Sequence, residues 1–445
     1  MTWGPYSQWS IVESWSLCPE DYGWCQRTAG SNSNNYYEYK KEYEKLKTTF
    51  NPTQFDPDKW AKAAKNAGMK YVVAMSKHHD GFCMYDTKTT DYRITDKECP
   101  FHSNPKSNIL KEILQSFSNE GFMSGIYFSK PDWKSEYYWD PYFPPLDRNV
   151  NYDPEQYPEK WNKFVEFTHN QIMELMTDYG NIDILWLDGG WVAEQRKEIK
   201  EWYQKIISSN GSGFIKGKMV NQDIKMDELV KKVREKQPGL IVVDRAVKGK
   251  NQNYLTPENT IPNESLPYPW ESCIISGGGW SWVKDAKYKS SLELVHMLID
   301  IVCKGGNLLL NIAPDANGNW DEDAYVRLED IGVWMDINSE AIYKTRAIAP
   351  FKEANICFTK KRNTNTIYAI YMIEDINNML PQEILIKSFV AKAGSEIKLL
   401  GYDKNISWKE ADNGIIITVP KEVQDNPPSK YASTFKIDSI CNENK

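Results

Sequence analysis

No run of this chain approaches the ~20 consecutive apolar residues that a membrane-spanning helix requires, so membrane insertion is not expected. Basic excess is missing too: 54 Lys and Arg stand against 61 Asp and Glu, for a net charge of −7. With neither sign gathered into a stripe, nucleic acid is not an expected partner, and a neutral or weakly charged ligand fits better. The eight cysteines include no Cys-x-x-Cys pair and no zinc spacing with the five histidines. They read as mostly buried thiols, with Cys18 and Cys25 as the candidate disulfide. No Gly-x-Gly-x-x-Gly follows the first strands, which weighs against a dinucleotide-binding sheet, and no internal repeat or low-complexity tract is present.

What the chain has in quantity is aromatic surface. Aromatics make up 13% of its 445 residues, with 17 tryptophans and 26 tyrosines. Flat rings stack on the apolar faces of sugars while offering a polar edge, so this composition leans toward carbohydrate. The length exceeds what one core usually fills, which predicts a large domain followed by a smaller one.

From about residue 56 to 340 helical and strand patterns alternate. Asp56 reads as an N-cap before an N1 proline, opening a helix through Ala67 that Gly68 closes. Strands are expected over Lys70–Met75, Phe122–Ser129, Ile182–Asp188, Leu240–Asp244 and Leu308–Ile312. Between them fall helices over Ser107–Asn119, Pro158–Tyr179, Glu194–Ser208 and Met226–Lys236. Ser290-x-x-Glu293 is a capping box opening another that ends at Gly305-Gly306, and Asp321–Ser339 is the last long helix. Strands separated by helices imply a parallel sheet, and polar residues following strand ends are where a (β/α)8-type barrel keeps its site. After about Thr345 short alternating segments, split by Asn, Asp, Gly and Lys, predict a small antiparallel sandwich. The expected division is therefore an α/β barrel domain over 1–345 and a β-sandwich over 346–445.

Ile182–Asp188 carries the sharpest chemical signal. An apolar strand that ends in a carboxylate and two glycines places a charge where burial is costly, and catalysis explains that better than packing. Strand alternation puts Ile182, Ile184, Trp186 and Asp188 on one face. Glycoside hydrolysis needs a second carboxylate, and Glu258, Glu264 and Glu271 all lie between Asp244 and Trp282. Chemistry alone does not choose among them. In Lys77-His78-His79-Asp80-Gly81-Phe82 the adjacent histidines, on an extended backbone, are expected to point apart; they suit hydrogen bonding to sugar hydroxyls better than a metal. Neither a metal nor a cofactor is called for.

Five blocks together resemble the α-L-fucosidases of glycoside hydrolase family 29. These are Trp3-Gly4-Pro5-Tyr6-Ser7, the Phe55-Asp56-Pro57 to Tyr71 stretch, Lys77 to Phe82, Leu185 to Asp188, and Gly305-Gly306-Asn307-Leu308-Leu309-Leu310-Asn311 with Pro314. They occur in family order across residues 3 to 314. The resemblance implies a retaining exo-glycosidase acting on a fucosylated oligosaccharide or glycoconjugate, with a (β/α)8-like barrel and a C-terminal sandwich. It matches Asp188 to the nucleophile, Trp186 to a pocket wall, His78 and His79 to sugar-binding histidines, and Arg245 to a substrate-binding arginine. The setting Thr256-Pro257-Glu258 resembles that of the acid/base, so Glu258 is favoured and Glu271 is the runner-up. Trp280 matches an aromatic wall, with Trp3, Trp24 and Tyr127 as further candidates for sugar contact.

Two departures stand out. The family has His-Trp-Gly where this chain has Thr2-Trp3-Gly4, and the strand that should precede that block is absent from the sequence. The second suggests a further N-terminal segment or an unusual closure of the barrel, and if a signal segment was removed a periplasmic or extracellular location is favoured. Two rival readings remain: a sugar-binding or related-L-sugar relative, motivated by Thr2, and a metal-dependent hydrolase using His78, His79 and Asp80.

Overall fold

The computed structural model describes residues 1–445 apart from 21, 196–200, 202–219, 377–379, 413, 439 and 441–445. Four parallel strands, β1 (Tyr71–Lys77), β2 (Met123–Ser129), β3 (Ile184–Asp188) and β4 (Ile241–Asp244), pair in chain order. Two more, β5 (Glu271–Ile275) and β6 (Asn307–Asn311), form a separate parallel pair. The ladder is thus in two pieces, yet all six strands send side chains into one interior cluster. Tyr71, Val73, Tyr127, Ile184, Trp186, Ile241, Val243, Cys273 and Leu309 meet there, which is how a barrel fills its centre.

An irregular segment bridges the gap between β4 and β5. Asn253 donates its backbone N–H to Val242 at 2.9 Å, while the N–H groups of Glu271 and Cys273 donate to the carbonyls of Leu255 and Pro257 at 2.9 and 3.1 Å. Leu255 and Glu258 form isolated parallel bridges to Trp270 and Cys273. Leu255 and Asn259 in turn donate their N–H groups to the Pro269 and Cys273 carbonyls, both at 2.9 Å, but Pro257 has none to give, so the stretch pairs along β5 without becoming a regular strand. On the far side of β1 the Met1 amino group donates to the Val73 carbonyl at 3.1 Å.

Helices cover the outside for the reasons legible in their sequences. Asp56 accepts from the Lys59 N–H and caps Pro57–Asn66; Ser290 and Glu293 close a reciprocal capping box on Ser291–Cys303. In Ile109–Asn119 the buried Ile109, Leu110, Ile113, Leu114 and Phe117 recur at helical spacing and form one apolar face. The helix expected over 194–208 lies almost wholly outside the described residues.

The C-terminal part is a two-sheet antiparallel sandwich. One sheet has the order β11-β14-β9-β8-β7, from β7 (Thr345–Glu353), β8 (Ile356–Lys361), β9 (Ile367–Met372), β11 (Ile397–Leu399) and β14 (Ala432–Ile437). The other has β10 (Glu383–Ile386), β13 (Gly414–Thr418) and β12 (Ser407–Ala411), with Ile384, Ile386, Ile415 and Ile417 turned to a core shared with Phe358, Ile367 and Phe435 of the first sheet. It docks on the barrel through Trp334 Nε1, which donates to the Ala432 carbonyl at 2.9 Å, and Thr359 Oγ1, which donates to that of Ala341 at 2.7 Å.

Three features differ from expectation. Strand β5 was not foreseen, because its apolar run is short and opens with Glu271. The helix Tyr36–Glu44 buries only Tyr39 and Tyr43, too narrow a stripe to signal. Cys18 and Cys25 are free thiols, buried like the other described cysteines; the Cys18 thiol donates to Glu20 Oε2 at 3.3 Å instead of forming a disulfide.

Candidate active site

The C-terminal ends of β1 to β4 converge on Asp188. Register places Ser129 beside Asp188 and Leu187 beside Asp244, so Tyr127, Trp186 and Arg245 face the same interior as the carboxylate. Tyr127 donates its hydroxyl to Asp188 Oδ2 at 2.8 Å, and Arg245 Nη1 donates to Oδ1 at 3.0 Å. Burial alone would raise the Asp188 pKa; the Arg245 charge, followed by His79 and Tyr127, outweighs it and holds the group below the usual carboxylate range. Asp188 is therefore ionised at neutral pH.

Behind the strands a buried ion pair straddles β3. Lys130 Nζ lies 2.5 Å from Asp244 Oδ1, and the Lys130 N–H donates to the Asp188 carbonyl at 3.0 Å. Both Asp188 and the residue preceding Arg245 are thereby tied to the end of β2.

Arg245 links the two carboxylates of interest. Its Nη2 donates to Glu258 Oε2, while Trp280 Nε1 donates to Glu258 Oε1 at 3.0 Å. Glu258 remains 42% exposed, at the mouth rather than the floor. One guanidinium holding Asp188 and Glu258 on its two nitrogens keeps the carboxyls within a side chain's breadth, compatible with the ~5–5.5 Å of a retaining pair. Glu271 is placed quite differently. It lies inside the barrel, accepting from Tyr71 (2.6 Å), Trp186 Nε1 (3.1 Å) and Tyr254 (3.3 Å). Burial raises its pKa against these three donors. Its role here is to fix the Trp186 indole, whose face lies under Arg245.

His78 and His79 do not point apart. The strand ends at Lys77, and a turn closed by Gly81 N–H on the His78 carbonyl, with Gly81 at φ 80°, aims both rings into the pocket with centroids 4.1 Å apart. Ser14 Oγ lies 2.5 Å from His78 Nδ1, and His79 Nε2 is 3.9 Å from Asp188 Oδ2. Trp15, Trp133 and Trp191 surround His79 at 5.1 to 5.3 Å, and its Nδ1 is buried without a partner among the described residues. Asp80 turns away: it accepts from Tyr43 at 2.9 Å and from the Phe82 N–H. The triad His78, His79 and Asp80 is thus not assembled. His78, His79 and Asp188 do approach within 4.8 Å, but the guanidinium already on Asp188 opposes a second cation there.

Burial lowers the His78 pKa to about 4 and that of His79 further, so both rings are neutral hydrogen-bonding groups at neutral pH. A depressed histidine contributes stability that is complete above its unfolded pKa of ~6.5 and is lost as pH falls toward 4. The wild type should accordingly lose about 3 kcal/mol of unfolding free energy relative to His78→Gln between pH 6.5 and 4. Denaturant melts of both proteins across that range test this. A constant difference would show that His78 is already charged. Burial raises the Asp80 and Glu13 pKa values, which acts with the opposite sign; Asp80 acts alike in both proteins, and carrying both in a Glu13→Gln background removes the contribution of Glu13, 3.6 Å from His78.

Glu13 was not singled out in the sequence. Its carboxyl, buried on the pocket wall, lies 3.6 Å from His78 Nε2; burial, then Asp188 and Glu258, push its pKa well up. Its backbone sits at φ 130°, a strained setting of the kind that clusters at functional sites. A lone glutamate inside Ile11-Val12-Glu13-Ser14-Trp15 was the available signal. Two predicted aromatics fall elsewhere. Trp3 is in the core with Phe50, Phe55 and Trp60, its Nε1 donating to the Asp315 carbonyl at 2.8 Å. Trp24 is 47% exposed and stacks on Tyr22 at 4.7 Å.

A model of the α-L-fucosidase family matches residues 1–340, and one of the α-L-fucosidase C-terminal domain matches residues 350–438. The plasma α-L-fucosidase of Rattus norvegicus is 26% identical over 91% of this chain and 82% of that protein. The tissue α-L-fucosidase of Homo sapiens is 26% identical over 87% and 75% respectively. Among solved structures, α-L-fucosidase isoenzyme 1 from Paenibacillus thiaminolyticus superposes with a TM-score of 0.75 at 26% identity, covering 99% of this chain and 95% of that one.

Proposed function

The chain belongs to the α-L-fucosidase family, and we propose that it hydrolyses terminal α-L-fucosyl residues of glycans by double displacement on Asp188. The carrying observation is the Arg245 guanidinium shared by Asp188 and Glu258. In the first step an Asp188 oxygen bonds to the anomeric carbon as the glycosidic C–O bond breaks, and Glu258 gives its proton to the departing oxygen. In the second, Glu258 takes a proton from water as the water oxygen displaces Asp188 and restores its carboxylate. Arg245 and Tyr127 keep the nucleophile ionised and aimed. His78, His79 and Glu13 meet the sugar hydroxyls, with Trp186 and Trp280 as apolar walls. The substrate is a fucosylated oligosaccharide or glycoconjugate.

Proton NMR of the sugar first released from an aryl α-L-fucoside tests the reading. α-L-Fucose should appear before mutarotation; β-L-fucose first would mean a single displacement and remove Asp188 as nucleophile.

A further inference from the structure

We infer that Val12, packed against Gly279 directly before Trp280, forms a leaving-group subsite that takes the C–H face of the pyranose to which the fucose is attached. This rests on Glu258 being the acid/base, since the leaving oxygen must then lie on the Glu258 side. Val12 directly precedes Glu13, whose carboxyl lines the pocket wall beside His78, yet the residue itself is 48% exposed. The chain therefore passes from pocket wall to outer rim within two residues.

Val12 is also held against the segment that carries Trp280. A Cβ added at Gly279 would lie 2.6 Å from Val12 Cγ1, a distance that real contacts do not show, so glycine there lets the isopropyl group sit directly against the backbone that leads into Trp280. The Lys284 N–H donates to Ser10 Oγ at 2.7 Å, joining the same two loops on the other flank. Trp280 is fixed at both ends: its Nε1 on Glu258 and its carbonyl accepting from Asn311 Nδ2 at 2.8 Å at the end of β6. An exposed apolar group held against the residue that precedes Trp280, whose indole donates to Glu258, offers a shelf on the side from which the leaving oxygen departs. A pyranose carrying the scissile oxygen presents C–H groups that such a shelf can cover.

Steady-state kinetics on two substrates isolate the subsite. Methyl α-L-fucoside needs the Glu258 proton as a disaccharide does but has no pyranose to contact; a fucosyl disaccharide, chosen as the best-hydrolysed of the α1,2, α1,3, α1,4 and α1,6 linkages, has one. Val12→Ser should lower kcat/KM about five- to tenfold for the disaccharide and leave the methyl fucoside within twofold. Val12→Ile should keep both near wild type. Equal losses on the two substrates, or no loss on either, would overturn the subsite while leaving the hydrolase reading intact. A wild type that turns over neither substrate would instead refute the hydrolase reading. Gly279→Ala, which displaces Val12 without changing it, should reproduce the selective loss, and an equal loss on both substrates would count against the subsite.

Discussion

Asp188→Ala should lower kcat for an aryl α-L-fucoside on the order of 10⁴-fold, the scale seen when an activated nucleophile is removed from its unit. The substitution leaves the rest of the pocket standing, because Asp188 is positioned by backbone register against Ser129 and by the Lys130 N–H on its carbonyl, neither of which needs its side chain. What remains is a small space faced by Arg245, with its guanidinium relieved of one carboxylate, and by the Tyr127 hydroxyl. A small anion such as azide should therefore restore turnover and yield β-L-fucosyl azide, since it attacks from the face Asp188 had occupied. Near-normal hydrolysis without azide, or an azide product of α configuration, would remove Asp188 from the mechanism.

Glu258→Gln should divide substrates by leaving group. For an unactivated disaccharide, loss of the proton donor should cost 10²- to 10⁴-fold, the usual contribution of general acid catalysis. Fluoride departs without a proton, so the first step on fucosyl fluoride should survive while the second slows for want of a base. The fucosyl-enzyme should then accumulate, visible as a burst of fluoride and as an increment of one fucosyl unit in intact-protein mass. Glu271→Gln is the control. Its carboxylate serves Tyr71, Trp186 and Tyr254 inside the barrel, so its loss should impair both substrates alike and lower stability by about 1–3 kcal/mol. Leaving-group dependence in Glu271→Gln and none in Glu258→Gln would reverse the assignment.

These two glutamates show where the sequence was informative and where it was not. Both stand beside short apolar or proline-containing stretches, and local chemistry does not separate them; only the resemblance of Thr256-Pro257-Glu258 to the family setting favours Glu258. The difference is tertiary: Pro257 and the carbonyl bridges to β5 bring Glu258 to the rim, while Glu271 opens β5 and faces inward under Trp186. The two histidines make a similar point. Alternation along an extended chain predicts opposed rings, and it fails because the strand stops at Lys77 and Gly81 permits a turn. Glu13 stayed hidden because its significance lies in neighbours 65 and 175 residues along the chain, His78 and Asp188. Trp3, conversely, was legible as part of a family block, yet its indole serves the core.

By itself the sequence determined the order of strands β1 to β4, the helices between them, the sandwich that follows and the strand-end carboxylate. Buried parallel strands must be continuous apolar runs, and a polar residue closing such a run is conspicuous in one dimension. Only the tertiary structure decided which glutamate shares Arg245 with Asp188 and how residues 252–259 bridge β4 and β5. Those outcomes depend on loops whose backbone is set by contacts with distant segments, and local propensity carries no record of such contacts.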